Sequence, residues 1–327
     1  MDKALAAKIN GVVENVERVI FGKHHEIELA LVALLCRGHI LVEDVPGTGK
    51  TVLAKALARS LGCSFRRIQF TPDLLPSDVT GVSIFNQRTN TFEFRPGPVM
   101  SQVVLADEIN RATPKTQSAL LESMDEHQVT VDGTTYQLPE PFLVMATQNP
   151  IESEGTYPLP EAQIDRFMLK ILVDYPLHDE ELTVIQRSLV AAPELKQLLT
   201  IEDLREVQEV VRGIYVDPGL VSYALQLATA TRRPDEFGLP DLARFISFGA
   251  SPRGPISLIH AARGLAVVRG REYVLVQDLQ ELAKDALRHR MVLSYEALAE
   301  NRSPDSLLDE IIAAVAVPQL DLAGHAA

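Results

Sequence analysis

Residues Val45-Pro46-Gly47-Thr48-Gly49-Lys50-Thr51 set two glycines, a lysine and a threonine between an apolar run and a helical stretch. Upstream, His39-Ile40-Leu41-Val42-Glu43 is short, apolar and ends in a turn, which predicts a buried strand. Downstream, Val52, Leu53, Ala56 and Leu57 share one face of a helix predicted over Thr51–Ser60. A glycine-rich turn from strand to helix points backbone N–H groups inward, and the helix N-terminus adds partial positive charge. Such a loop cradles phosphate. Lys50 would reach the β- and γ-phosphates of a nucleotide as a point charge, and the Thr51 hydroxyl would ligate Mg²⁺. The predicted nucleotide-binding segment is Asp44, Val45, Pro46, Gly47, Thr48, Gly49, Lys50, Thr51 and Val52. One position departs from the pattern: the first glycine of G-x-x-x-x-G-K-[ST] falls at Asp44. Aspartate tolerates unusual backbone angles, so Asp44 is expected to cap the turn with its carboxylate directed away from phosphate.

A second element follows roughly 55 residues on. Gln102-Val103-Val104-Leu105-Ala106-Asp107 is an apolar strand that delivers the adjacent carboxylates Asp107 and Glu108 at its C-terminal end. Ligand sites of open α/β sheets lie at that end. Asp107 would hold Mg²⁺ through its water shell, and Glu108 would polarise an attacking water. Together with the loop, this pair turns nucleotide binding into hydrolysis. A third element, Met145-Ala146-Thr147-Gln148-Asn149-Pro150, ends a buried strand in amides. Asn149 could hydrogen-bond the water or the γ-phosphate, or simply form a turn before proline.

Further strands are predicted at 65–70, 142–148 and 168–173, and a helix from Thr113-Pro114 to about Asp125. Strands alternating with helices mean a parallel α/β sheet. Val82–Arg95 and Gln128–Leu138, the latter turning on Asp132-Gly133, read as β-hairpins inserted into that core. Residues 1 to about 35 read as helical, with a break at Phe21-Gly22. After Tyr175-Pro176 the strand signals stop. Helix starts at Thr200-Ile201, Asp217-Pro218 and Ser303-Pro304 predict an all-helical second domain from about His178. The expected division is 1–176, 177–317 and a loose tail, 318–327.

The net charge is −13, from 31 basic and 44 acidic residues, which argues against a general nucleic-acid partner. Cys36 and Cys63 form no metal or redox motif, and eight scattered histidines show no metal-ligand spacing. Arg288-His289-Arg290 reads as a solvated basic cluster near a helix end. The N-terminus is charged, and the apolar runs are too short to span a membrane, so the chain is expected in the cytoplasm.

The motifs resemble those of the AAA+ ATPases, specifically the MoxR group. The resemblance runs from about Ile20 to Met291. It rests on residues 43–51, 105–112 and 146–150, on Leu159-Pro160-Glu161-Ala162-Gln163-Ile164-Asp165-Arg166-Phe167, and on Ser251-Pro252-Arg253. An Asp in place of the first loop glycine is common in that group. The resemblance implies ATP as ligand, Asn149 as sensor 1, and Arg166 as an arginine finger reaching a neighbouring subunit's ATP. Arg253 would be sensor 2, contacting γ-phosphate from the lid, with the nucleotide between core and lid. Val19-Ile20-Phe21-Gly22 would pack on adenine. Read alone, Arg166 is a surface or helix-end arginine, Arg253 lies in a loop before a helix, and Ile20, Phe21 and Gly22 suit ordinary core packing plus a turn. Arg111 suits a second trans-acting arginine or a solvated salt bridge. The two hairpins fall where MoxR proteins, magnesium chelatase subunits and replicative helicases carry inserts.

The expected protein is therefore an ATPase with an α/β P-loop core and a helical lid, working as a homo-oligomeric ring, expected to be a hexamer. By resemblance it would remodel or activate a client protein in a chaperone-like manner, alongside a partner with a von Willebrand factor A domain. The alternatives are a magnesium-chelatase-like motor subunit, a nucleic-acid motor of the same branch, and an ATP-dependent assembly switch with little turnover.

Overall fold

The structure, a computed structural model, describes residues 3–45, 47–149, 155–175, 178–189 and 193–319. Pro46 of the glycine loop, Pro150, the expected boundary at 176–177 and tail residues 320–327 lie outside the described residues. Two helices, α1 (Lys3–Glu17) and α2 (His24–Leu35), lead into β1 (Ile40–Asp44), α3 (Lys50–Ser60) and β2 (Phe65–Gln69). Then come α4 (Pro76–Thr80), the hairpin β3 (Gly81–Asn86) and β4 (Thr91–Pro96), β5 (Val103–Asp107) and α5 (Pro114–Glu126). A second hairpin, β6 (Gln128–Val131) and β7 (Thr134–Gln137), precedes β8 (Leu143–Gln148), α6 (Glu161–Ile164) and β9 (Leu169–Val173).

β1, β2, β5, β8 and β9 form one parallel sheet in the order β2-β5-β8-β1-β9. β5 is buried along its whole length and β8 along all but its last residue, which explains their unbroken apolar runs. Parallel pairing brings all the C-terminal strand ends to one edge, so Asp44, Asp107 and Gln148 gather there. Both hairpins form as expected. In the second, Asp132 and Gly133 have φ of +49° and +77°, as a two-residue I′ turn requires. Phe94 of β4 stacks on Tyr136 of β7, ring centroids 3.9 Å apart, so the two hairpins touch each other.

The C-terminal part comprises α7 (His178–Ser188), α8 (Ile201–Gly213), α9 (Pro218–Arg232), β10 (Ile246–Phe248), α10 (Arg253–Val268), α11 (Val276–Leu287), β11 (Val292–Leu293), α12 (Tyr295–Ala299) and α13 (Pro304–Ala314). The Thr200, Asp217 and Ser303 side chains cap their helices, accepting from the N–H of Asp203, Gly219 and Ser306. The lid is helical, as expected, and carries in addition a short antiparallel ribbon of β10 and β11. Strands of three and two residues are too short to leave a period in the sequence.

The lid is not a separate globule. A single apolar core runs from α1 and α2 through α3, β1 and β9 into α8–α11. Gly264 of α10 lies so close to α2 that a Cβ there would sit 2.6 Å from Cys36 Sγ. The basic cluster 288–290 is corrected: it is buried, not solvated. Arg288 pairs with Asp285 (2.6 Å) and Asp305 (2.8 Å) and donates to the Lys170 carbonyl (2.8 Å). Among the described residues, no helix is long and apolar enough to cross a membrane.

Candidate active site

The glycine loop leaves β1 at its C-terminal end and delivers Lys50 as the first residue of α3. Gly47 and Gly49 have φ of +88° and +87°, and a Cβ at Gly47 would meet nothing within 4 Å. These glycines are therefore needed for backbone conformation rather than for room. Asp44 braces the loop: its buried carboxylate accepts from the Thr48 hydroxyl (2.9 Å) and lies 3.1 Å from Lys50 Nζ. The expected cap is present, and it also holds the lysine.

Lys50 Nζ sits between Asp44 Oδ1 and Asp107 Oδ1, at 3.1 and 3.2 Å. Burial works against its charge, but the Asp107 and Asp44 carboxylates outweigh that and raise its pKa. Asp107 is shifted the other way. Burial favours its neutral form, yet hydrogen bonds from Thr147 and Arg67 and the Lys50 charge hold its pKa below the usual carboxylate range. The result is an ionised carboxylate with cations on both sides. Together with the Thr51 hydroxyl it makes the hard-oxygen donor set that Mg²⁺ takes, so these residues fit that ion.

Thr147, at the buried end of β8, ties the two acids together. Its hydroxyl donates to Asp107 Oδ1 (2.8 Å) and accepts from the Glu108 N–H (2.9 Å). Glu108 itself has φ +57° and ψ +51°, a left-handed conformation unusual outside glycine. Its carboxylate accepts from Gln69 Nε2 (2.8 Å) and Arg111 (3.1 Å). Arg111 thus engages Glu108 of its own chain. Asn149, the residue after β8, is buried beside this group.

A cavity of about 690 Å³ opens beside the loop, lined by Ile20, Phe21, Gly47, Thr48, Gly49, Thr51 and Val52 from the core and by Val184 and Arg187 of α7. That volume suits a nucleotide-sized ligand. The Arg187 guanidinium lies 3.8 Å from the centre of the Phe21 ring. Gly22 has φ +66°, a backbone conformation that favours glycine, and the Glu180 carboxylate of α7 lies against it, 2.3 Å from where a Cβ would sit. The break at Phe21-Gly22 is thus where α7 closes on the core.

Arg166 and Arg253 lie elsewhere. Both line a smaller cleft of about 170 Å³ with Arg37, Asp165, His260 and Arg290. Arg37 precedes β1 and Arg166 precedes β9, so this cleft sits at the strands' N-terminal ends. The glycine loop leaves β1 at its opposite end, and a five-residue strand is about 16 Å long. Arg166 pairs with Asp125 at 3.2 Å, and Arg253 lies 3.9 Å from Asp165. Arg253 of the lid therefore stands away from its own chain's glycine loop. It stands beside Arg166, and neither lines the large cavity.

Residues 39–169 match the family described as ATPase family associated with various cellular activities (AAA), and residues 242–311 match the AAA lid domain. Chaperone MoxR1 of Mycobacterium tuberculosis is 48% identical over 98% of this chain and 85% of its own length. Protein MoxR of Paracoccus denitrificans is 35% identical over 95% of each chain. The chain belongs to the MoxR group of AAA+ ATPases. A crystal structure of a candidate ATPase from Cytophaga hutchinsonii superposes with a TM-score of 0.91, at 44% identity, over 96% of each chain. In this MoxR-group ATPase, sequence reading missed Arg67, Gln69, Thr147 and Asp165. Gln69 ends β2 and pairs in register with Asp107, a relation that appears only once the strands are paired.

Proposed function

We propose that this protein hydrolyses Mg-ATP at a site completed by a neighbouring copy and uses the turnover to remodel or activate a client protein. One observation carries the reading. The loop, Asp107 and Glu108 form a compact acid–lysine site, while Arg166 and Arg253 sit together at the opposite end of the sheet. A cation that stabilises the transferring phosphoryl group must lie within contact of it. Arg166 cannot meet that condition in its own chain, but it can across a ring interface. The same argument assigns Arg253 to a neighbour's nucleotide.

In this reading Lys50 and the loop N–H groups hold the phosphates, and Ile20 and Phe21 pack on the base. Thr51 and Asp107 would hold Mg²⁺, which supplies charge neutralisation at the β- and γ-phosphates when bound. Glu108 accepts a proton from the attacking water once Gln69 and Arg111 release its carboxylate, and Asn149 orients that water. The naming of the M. tuberculosis relative as a chaperone supports client remodelling. A partner with a von Willebrand factor A domain and a hexameric ring rest on family resemblance. The net charge of −13 weighs against a nucleic-acid motor.

Three variants test the reading by ATP binding and steady-state turnover. Lys50→Ala should lose binding. Glu108→Gln should bind ATP without turning it over. Arg166→Ala should bind ATP and lose turnover by about 10³-fold or more. Normal hydrolysis by a monomeric Arg166→Ala protein would sink the shared-site reading.

A further inference from the structure

We propose that Asp165 is a positioning residue that locks Arg166 and the lid's Arg253 into one unit facing the neighbouring subunit. The inference rests on the reading above, that both arginines serve a neighbour's nucleotide. Asp165 directly precedes Arg166 and ends α6. The hydrogen-bond and ion-pair partners of its carboxylate come from the lid. The Ser251 hydroxyl donates to its two oxygens at 2.9 and 3.0 Å, Arg290 Nε donates at 2.8 Å, and Arg253 Nη1 lies at 3.9 Å.

Ser251 extends the connection. The oxygen that donates to Asp165 also accepts the Arg253 N–H at 3.1 Å. The carboxylate therefore sets, through Ser251, the backbone of Arg253, the first residue of α10, and lies near its charged tip. Arg290 fixes the other side. Its buried guanidinium donates to the carbonyls of Asp165 (3.1 Å), Phe167 (2.7 Å) and Met168 (3.2 Å), the backbone on either side of Arg166. Three segments distant in sequence thus meet at one carboxylate: 161–168, 251–253 and 288–290.

Arg290 ties the lid to the core through backbone carbonyls and through the Asp165 carboxylate, its charge partner at 2.8 Å. The same carboxylate adds contacts to Ser251 and Arg253, which that tie does not need. The carboxylate is also partly exposed in the arginine-lined cleft. Charge-assisted hydrogen bonds from two segments hold geometry better than either alone. Two arginines on separately moving segments would rarely arrive together, and a displacement of about 1 Å at a reacting group can cost about 100-fold in rate.

The test mixes two inactive proteins. Glu108→Gln subunits cannot hydrolyse their own ATP but keep an intact cleft. Arg166→Ala subunits keep an intact loop site but lack the finger. Their mixture should recover turnover, because the first protein's cleft completes the second protein's site. Adding Asp165→Ala to the Glu108→Gln subunit should then lower kcat of the mixture about 10- to 100-fold, with KM for ATP within about twofold. Adding Asp165→Ala to the Arg166→Ala subunit should bring no further loss, since that cleft is already silent. Asp165→Asn, which keeps the size but not the charge, should follow the same placement rule with a smaller loss. Equal loss in both placements, or none in either, would overturn the proposal. A reference mixture that recovers no turnover would instead remove the shared-site reading on which it rests.

Discussion

Thr147 holds Asp107 and Glu108 through one hydroxyl, and it is fully buried. Replacing that hydroxyl by a methyl group in Thr147→Val leaves the Glu108 N–H without its acceptor and Asp107 Oδ1 without one donor. A buried polar group that loses its partner costs on the order of 1–3 kcal/mol. The left-handed backbone at Glu108 then loses its tether. Thr147→Val should lower turnover about tenfold or more, through displaced catalytic groups. ATP affinity should change little, because the loop and Lys50 are untouched. Unchanged turnover in this variant would show that Glu108 is placed by Gln69 and Arg111 alone. Of the residues in the site, those belonging to a spaced motif were legible in the sequence: Lys50, Thr51, Asp107 and Glu108. Thr147 was not, because an isolated threonine in an apolar run acquires its meaning only from the register of β8 against β5.

The sheet strands could be read to within a residue or so, because five or six apolar residues bounded by turns leave few alternatives. The ribbon of β10 and β11 and the burial of Arg290 could not. The Arg290 guanidinium finds its acceptors in the core, Asp165, Phe167 and Met168, more than 120 positions away in sequence, and no local pattern foretells that. His39, just before β1, is a similar case with a measurable consequence. Its Nδ1 accepts the Val144 N–H (3.1 Å) and its Nε2 donates to the Met124 carbonyl (3.3 Å), an arrangement that requires the neutral ring. Burial, partly opposed by the Met124 bond and aided by His127, lowers its pKa to about 4. The unfolded chain protonates near the ordinary value of 6.5. Between those values the unfolded state binds more protons, so stability is full above about pH 6.5 and is lost as pH falls toward 4. The loss from this group should be on the order of 3 kcal/mol. Denaturant unfolding at pH 7.5 and pH 5 should show the drop, and His39→Gln should flatten it. His289, buried and likewise held neutral, leaves a residual slope of the same sign.

At the scale of the whole molecule, the sequence divides at about 176 but the packing does not. One core joins α2, the sheet and the lid, so heat or denaturant should unfold core and lid in a single transition. Two separated calorimetric transitions would contradict this. The distance between the loop and the arginine cleft gives a second expectation: turnover per chain should rise with protein concentration, while ATP binding should not. Flat specific activity across the range where assembly occurs would contradict it. The contact between Phe94 and Tyr136 bears on how such an assembly would grip what it works on. Because those two rings are stacked, moving one hairpin without the other would break that contact. The second hairpin follows α5 directly, and the first follows α4, which packs on α5; α5 starts six residues after Glu108. The two hairpins would then move as one lever, not as two separate fingers. A tilt of α5 during the catalytic cycle would move both hairpin tips in the same direction at once.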